Sequence, residues 1–292
     1  MSVATTMSID GLHTDVLAWF DKDGRDLPWR SDPQPWPVMV SEFMLQQTPV
    51  ARVLPVFEAW MARWPTPAAL ATDSVGEAVR AWGKLGYPRR AQRLHAAAAA
   101  IVEHHHGEVP DALEDLRALP GVGGYTAAAI ASFAFGQRHI VLDTNVRRLF
   151  ARTVCGVEFP ADSITAAERD LAVDLLPDRE AHRWAAATME LGALVCTAKA
   201  PRCGSCPIDD RCAWNLAGRP AHAGPPRRGQ AYAGTDRQVR GRLLDVLRAS
   251  DAPVTRAALD AAWDDVEQRE RCLRSLLADG LVRKTVDGEF SL

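Results

Sequence analysis

Nowhere among the 292 residues does an apolar run approach the ~18 that a membrane-spanning helix needs. The first ten residues hold neither a basic start nor an apolar stretch, so no secretory leader is expected and the predicted location is cytoplasmic. Clusters of β-branched residues are scarce beside many alanine-rich stretches, which points to mainly α structure. Neither sign of charge dominates: the formal net charge is −3 and the pI about 6.2, so global charge names no polyanionic partner. A basic face can still coexist with acidic surface elsewhere. Lysine is almost missing, occurring only as Lys22, Lys84, Lys199 and Lys284. The arginines that replace it suit bidentate phosphate contacts, although codon composition explains such an excess equally well. With 47% hydrophobic and 24% charged residues, a disordered chain, a collagen-like repeat and a disulfide-stapled miniprotein are all excluded.

Cysteine is also sparse, at six, but four fall in one segment as Cys196-x6-Cys203-x2-Cys206-x5-Cys212. In a reducing compartment, clustered thiols read as a metal site and not as disulfides. Zinc sites of four cysteines usually pair two Cys-x2-Cys knuckles, whereas this segment has one such pair flanked by single cysteines. A compact loop of that kind suits a 4Fe–4S cluster better than zinc. Cys155 and Cys272 lie outside the pattern and read as ordinary thiols.

Helical spacing predicts helices over residues 10–21, 35–47, 50–64, 75–82 and 89–105, the last with Leu94, Ala98, Ile101 and Val102 on one face. His104-His105-His106 reads as a solvated helix end. A short helix over 111–118 and another over 125–135 flank the turn Leu119-Pro120-Gly121-Val122-Gly123-Gly124. An extended piece at 139–142 leads into Asp143-Thr144-Asn145 and a helix to about residue 154, with further helices near 164–176 and 182–195. Residues 217–235 are rich in glycine, proline and alanine, include Arg227-Arg228, and read as a linker. Helices over 240–249, 255–262 and 266–279, then a hairpin around Asp287-Gly288, predict a winged-helix-like module over 236–292. Its polar residues form no acid–base or metal grouping, so an accessory role is expected.

Three glycines in four residues ahead of a helix allow main-chain N–H groups, around Gly121 and Gly123, to form a nest for a phosphate oxygen. A plain αα-corner uses glycine too. Glu42 lies in Ser41-Glu42-Phe43-Met44-Leu45-Gln46-Gln47-Thr48; its helical neighbours Val38, Met39, Leu45 and Gln46 are largely apolar. A carboxyl in that setting is expected to be desolvated and protonated near neutral pH, against the usual solvated glutamate. Asp143 is a natural N-cap for the helix after it, which does not prevent its carboxylate from serving chemistry.

Glycine hairpin, Asp143 and four-cysteine loop, in that order, resemble the helix-hairpin-helix DNA glycosylase superfamily, in the branch with an iron–sulfur cluster. The resemblance covers roughly residues 10–216 and implies a two-lobed, mainly α glycosylase domain with an iron–sulfur loop, followed here by the winged-helix-like module. The lysine nucleophile of the bifunctional endonuclease III type is replaced by Tyr125. The segment around Glu42 resembles that of MutY-type adenine glycosylases, whose substrate is adenine opposite guanine or 8-oxoguanine in double-stranded DNA. That resemblance implies that Glu42 protonates the departing adenine, Asp143 stabilises or transiently bonds the sugar cation, and Tyr125 and Asn145 assist. It implies further that Gln47 wedges into the duplex, Thr48, Leu85 and Tyr87 lie near the partner base, and Trp29 and Arg30 help form the adenine pocket. Lys199 and Arg202 would place positive charge near phosphates, and Cys196, Cys203, Cys206 and Cys212 would hold the cluster. The enzyme would act as a monomer. Pro88, Lys84 and Thr144 depart from the usual family residues, and the segment after about Asp236 lacks the pattern of the family's Nudix-like domain. A thymine glycosylase acting on T:G mismatches and a non-catalytic iron–sulfur DNA-binding regulator are the alternatives.

Overall fold

The computed structural model describes residues 9–224 and 232–292; part of the expected linker, 225–231 with Arg227-Arg228, lies outside the described residues. The described chain is mainly α, with one two-stranded antiparallel sheet near its end. No helix among the described residues is long and apolar enough to cross a membrane. The chain divides into two compact units. The first takes the described residues of Met1–Val38, Asp111–Glu114 and Gly123–Pro226, and the second those of Met39–Pro110, Asp115–Val122 and Arg227–Leu292.

In the first unit, helices Ile9–Asp23, Thr144–Thr153 and Ala181–Leu194 meet through Leu12, Val16, Val146, Leu149, Phe150, Trp184 and Leu191. Gly192 sets how close the last two helices come. A Cβ at that position would lie 2.7 Å from the Asn145 carbonyl oxygen, so any larger residue would push the Asp143–Asn145 turn away. Local caps start the helices. Asp143 caps Thr144–Thr153, and Thr165 with Glu168 forms a reciprocal capping box at Ala166–Asp174.

In the second unit, helix Val50–Arg63 buries Val53, Phe57 and Trp60, and Trp60 meets Trp64 and Trp82 edge-on at 4.6 and 5.7 Å. Helix Arg89–His104 buries Ala91, Leu94, Ala98 and Ile101. The C-terminal segment folds as the winged-helix-like arrangement: helices Asp236–Arg248, Arg256–Asp260 and Val266–Ala278, then strands Arg283–Lys284 and Phe290–Ser291. The strands pair Arg283 with Ser291 and Lys284 with Phe290, and Val254 adds a single bridge to Phe290. Val239, Leu243, Leu244, Leu247, Leu259, Cys272, Leu273 and Leu276 form the core of this segment.

That segment is stitched to the helices before it in the same unit. Arg80 donates to the carbonyls of Leu247 and Arg248 at 3.1 and 2.7 Å, and Arg248 Nε donates to Val79 O at 3.3 Å. Asp279 accepts from both Arg89 and Arg240. A Cβ on Gly76 would meet the carbonyl of the last residue, Leu292, at 2.8 Å.

Candidate active site and cysteine cluster

Glu42, in the second unit, lies on helix Pro35–Leu45 and is only 6% exposed; Met39, Phe43 and Met44 of the same helix are buried too. It is therefore not a solvated helix-edge glutamate. The helix stops at Leu45, earlier than helical spacing alone predicts, because Gln47 takes a left-handed φ of 56°. Its last carbonyls lack partners within the helix and need a donor. Arg90, which was not among the candidate residues, supplies it. One nitrogen of its buried guanidinium donates to the carbonyls of Phe43, Met44 and Gln46 at 2.9, 2.9 and 2.6 Å. The other donates to Thr48 Oγ1 at 2.9 Å and to Gly86 O at 3.0 Å.

One side chain thus ties the Gln46–Thr48 turn to the Gly86–Tyr87 turn. Burial brings the Arg90 guanidinium down to about 10, which leaves it charged at neutral pH. Thr48 is buried and its hydroxyl donates to Leu85 O at 3.3 Å. Leu85 is buried as well, whereas Tyr87 is 42% exposed and takes a left-handed φ of 49°. Gly121 also has a positive φ, 79°, and a Cβ there would press on Arg93 at 2.6 Å.

In the first unit, Gly123 caps helix Gly124–Phe135 and Tyr125 stands in its first turn, 37% exposed. Open space lies where Cβ atoms on Gly123 and Gly124 would be, so the main chain there can be approached closely. Asp143 receives three bonds: Asn145 N at 2.8 Å and Val146 N at 2.7 Å on Oδ1, and Asn145 Nδ2 at 2.7 Å on Oδ2. Burial pushes its carboxyl above the usual aspartate range, and the bonds from Val146 and Asn145 and the charge of Arg148 oppose this only in part.

Asn145 is held at both ends, since its Oδ1 accepts from Arg148 Nη2 at 2.9 Å. Arg148 in turn donates to Gly192 O at 2.7 Å and to Cys196 O at 2.8 Å, the end of helix Ala181–Leu194 and the start of the cysteine loop. Arg148 was also not singled out from sequence, yet it joins the Asp143–Asn145 turn to that loop.

Cys196, Cys203, Cys206 and Cys212 line one small cavity together with Leu149, Trp214 and Arg152. No three His, Cys, Asp or Glu side chains among the described residues converge on a single ion position. Burial pushes the Cys206 thiol up to about 12, outweighing a bond from the Ile208 main chain, and Cys212 rises for the same first reason. Thiols so placed become thiolates when a metal group supplies the compensating positive charge. Arg152, 1% exposed, lies beside them. It donates to Cys196 Sγ at 3.4 Å and to Thr197 O at 2.8 Å, and its guanidinium packs over Trp214 at 4.6 Å. The donor set fits a thiolate-ligated cluster. Arg202 donates to Leu194 O, the end of the preceding helix, and Lys199 lies exposed in the same loop. Cys155 is exposed and Cys272 belongs to the C-terminal core.

Trp29 is buried and Arg30 is paired, both on the short helix Pro28–Ser31. Their anchor is Glu190, 1% exposed, which accepts from Arg25 Nε at 2.6 Å and Nη2 at 2.8 Å and from Arg30 Nη2 at 2.9 Å. Burial alone would push this carboxyl up; the bonds and charges of Arg25 and Arg30 outweigh it and hold it at about 2. A folded-state value below the ordinary 4.5 means that the ion triad stabilises the fold above about pH 4.5. That contribution, about 3 kcal/mol for a shift of this size, is lost as pH falls towards 2. Glu190→Gln is accordingly expected to lower the thermal unfolding temperature at pH 7.5, and the gap from wild type to narrow on acidification below pH 4.5. Unfolding curves of the two proteins across pH check both.

Residues 40–171 match the family described as HhH-GPD superfamily base excision DNA repair protein. The chain is 59% identical over 283 residues to an adenine DNA glycosylase of Mycobacterium tuberculosis, covering 96% of this chain and 92% of that protein. It is 41% identical over 207 residues to the human adenine DNA glycosylase, which covers 68% of this chain but 38% of the human protein. Among solved structures, a thermostable thymine-DNA glycosylase superposes with a TM-score of 0.65 at 23% identity, covering 72% of this chain and 97% of that one. A non-covalent endonuclease III–DNA complex gives 0.62 at 23%, covering 72% and 96%. These two likenesses concern the fold.

Proposed function

The chain belongs to the HhH-GPD superfamily of base excision DNA repair proteins, among its adenine DNA glycosylases, and on that premise we propose that the adenine it removes stands opposite guanine or 8-oxoguanine in double-stranded DNA. The reaction is hydrolysis of the N-glycosyl bond. The reading is carried by the contrast between two carboxyl groups: Glu42 is buried on an apolar helix, while Asp143 has both oxygens held by N–H donors.

In this reading Glu42 delivers a proton to the adenine ring as the C–N bond breaks. Asp143, ionised, stabilises the oxocarbenium-like sugar or bonds it transiently, and water then adds at the anomeric carbon. Asn145 holds Asp143 in place, and the Tyr125 hydroxyl assists where a lysine would otherwise form a Schiff base. Trp29 and Arg30 line the adenine pocket. Gln47, Thr48, Leu85 and Tyr87 attend the partner base after the adenine leaves the stack. The main chain around Gly121 and Gly123 takes a phosphate, and Lys199 and Arg202 add positive charge. The enzyme acts as a monomer, with residues 10–216 as the glycosylase domain, 217–235 as linker and 236–292 as the accessory module.

Cys196, Cys203, Cys206 and Cys212 are proposed to hold a 4Fe–4S cluster. A zinc ion gathers its sulfurs around one point, whereas a cubane gives each thiolate its own iron, which suits four thiols spread around a shared cavity. When bound, the cluster supplies the charge that keeps these thiols ionised and fixes the loop. The purified protein is expected to be brown, with absorbance near ~400 nm. A colourless protein with one stoichiometric zinc would contradict the assignment.

Single-turnover excision from duplexes containing A:8-oxoguanine, A:G and T:G tests the function. Excision of adenine from the first two and none of thymine is expected, with little covalent complex trapped by borohydride. Glu42→Gln and Asp143→Asn are each expected to slow excision by ~10²–10⁴-fold while mismatched DNA still binds. Because the Asp143 carboxylate forms only as pH rises through a raised pKa, the rate should fall on the acid side at a pH above the ordinary aspartate value. Asn145→Ala, which removes two bonds to that carboxylate's neighbourhood, should move the acid limb higher still. Near wild-type excision by Glu42→Gln would place proton donation elsewhere.

A further inference from the structure

The chain has three tyrosines, and two of them, Tyr87 and Tyr232, flank one arginine of the C-terminal segment. The Arg237 guanidinium carbon lies 5.4 Å from the Tyr87 ring centroid and 5.5 Å from that of Tyr232, and its Nη1 donates to the Tyr87 hydroxyl at 3.0 Å. Arg90, the organiser of the neighbouring turns, lies 5.5 Å from the same Tyr87 ring. Two guanidinium groups and two phenol rings therefore gather within the second unit, and Tyr87, Tyr232 and Arg237 are all exposed. The turn carrying Tyr232 is itself fixed, with Thr235 N and Oγ1 both donating to Tyr232 O at 3.3 and 2.7 Å.

Two features set Arg237 apart from a residue that merely docks the segment. It stands in the first turn of helix Asp236–Arg248, where the helix dipole disfavours a cation. Docking is already provided by buried or partly buried contacts of Arg80, Arg248 and Asp279, the last accepting from Gln92, and an exposed bond adds little to it. Exposed aromatic faces interleaved with guanidinium groups are the surface that receives an unstacked nucleobase. A guanidinium fork also matches the O6 and N7 acceptors of guanine.

We infer that Arg237, carried by the winged-helix-like segment, contacts the purine left behind opposite the excised adenine, and so gives this segment a part in choosing the mispair. The inference rests on the reading of Tyr87 as a neighbour of that base. The binding energy so gained is spent on holding the partner purine and leaves the bond-breaking groups untouched.

The test uses full-length protein and duplexes in which the target nucleotide is 2′-fluoro-2′-deoxyadenosine, whose fluorine disfavours the sugar cation and stops turnover. One duplex places guanine opposite it and the other an abasic analogue. Arg237→Ala is expected to weaken binding to the guanine duplex about tenfold, within the range of a bidentate arginine–guanine contact, and to the abasic duplex less than about twofold. Equal losses on both duplexes would reduce Arg237 to a backbone or docking contact, and no loss on either would remove it from DNA binding; each overturns the inference. Wild-type protein that fails to excise adenine from an A:G duplex would instead refute the functional reading. Excision by wild type with unchanged discrimination in Arg237→Ala refutes the inference alone.

Discussion

Capping of helix C-termini by arginine is the interaction on which both units of this protein rely. A helix ends with carbonyls that have no partner of their own, and burying them unpaired costs free energy. Here guanidinium groups answer them repeatedly: Arg90 at the end of Pro35–Leu45, Arg148 at the end of Ala181–Leu194, Arg80 at the end of Asp236–Arg248, and Arg269 at the end of Arg256–Asp260. The planar fork reaches several acceptors from one stem, and its charge opposes the negative end of the helix dipole. An ammonium group, with three donors on a point charge, cannot reproduce that span. The near absence of lysine thus has a structural counterpart as well as a compositional one.

The caps also set the residues proposed above for the chemistry. Arg90 closes the helix bearing Glu42 and, with the same guanidinium, holds the turns that carry Gln47 and Tyr87 in left-handed conformations. Arg148 orients Asn145, which orients Asp143, and at its other edge grips the first residue of the cysteine loop. Loss of the loop's order would therefore reach the Asp143 carboxylate through three hydrogen bonds. Glu190 plays the converse role, a buried anion that fixes the Trp29–Arg30 segment by collecting two arginines.

Most of the helices were legible because apolar spacing and caps agree, as at Asp143 and at the Thr165–Glu168 box. Their ends were less so. Helix Pro35–Leu45 stops short of its expected end at a left-handed Gln47, and Asp236–Arg248 begins ahead of its apolar pattern because its first turn is polar. The grouping of the four cysteines could be read directly from their spacing, and the structure brings them around one cavity. Arg90, Arg148 and Arg152 could not, because their partners are main-chain carbonyls or groups far along the chain. Nothing in a carbonyl's residue type marks it. An abundance of arginine was visible; which of them were buried was decided by tertiary packing.

The dependence of the Asp143 carboxylate on its arginine support is tested most directly by Arg148→Lys in the full-length protein. Lysine keeps the positive charge but cannot reach Asn145 Oδ1, Gly192 O and Cys196 O at once. With Asp143 in its proposed role, single-turnover excision of adenine from an A:G duplex should fall by about tenfold or more, since small displacements of a group acting on the reacting atoms are costly. Thermal unfolding should show that the variant remains folded. A folded variant excising adenine at the wild-type rate would contradict the account, because Asp143 would then hold its position without the cap.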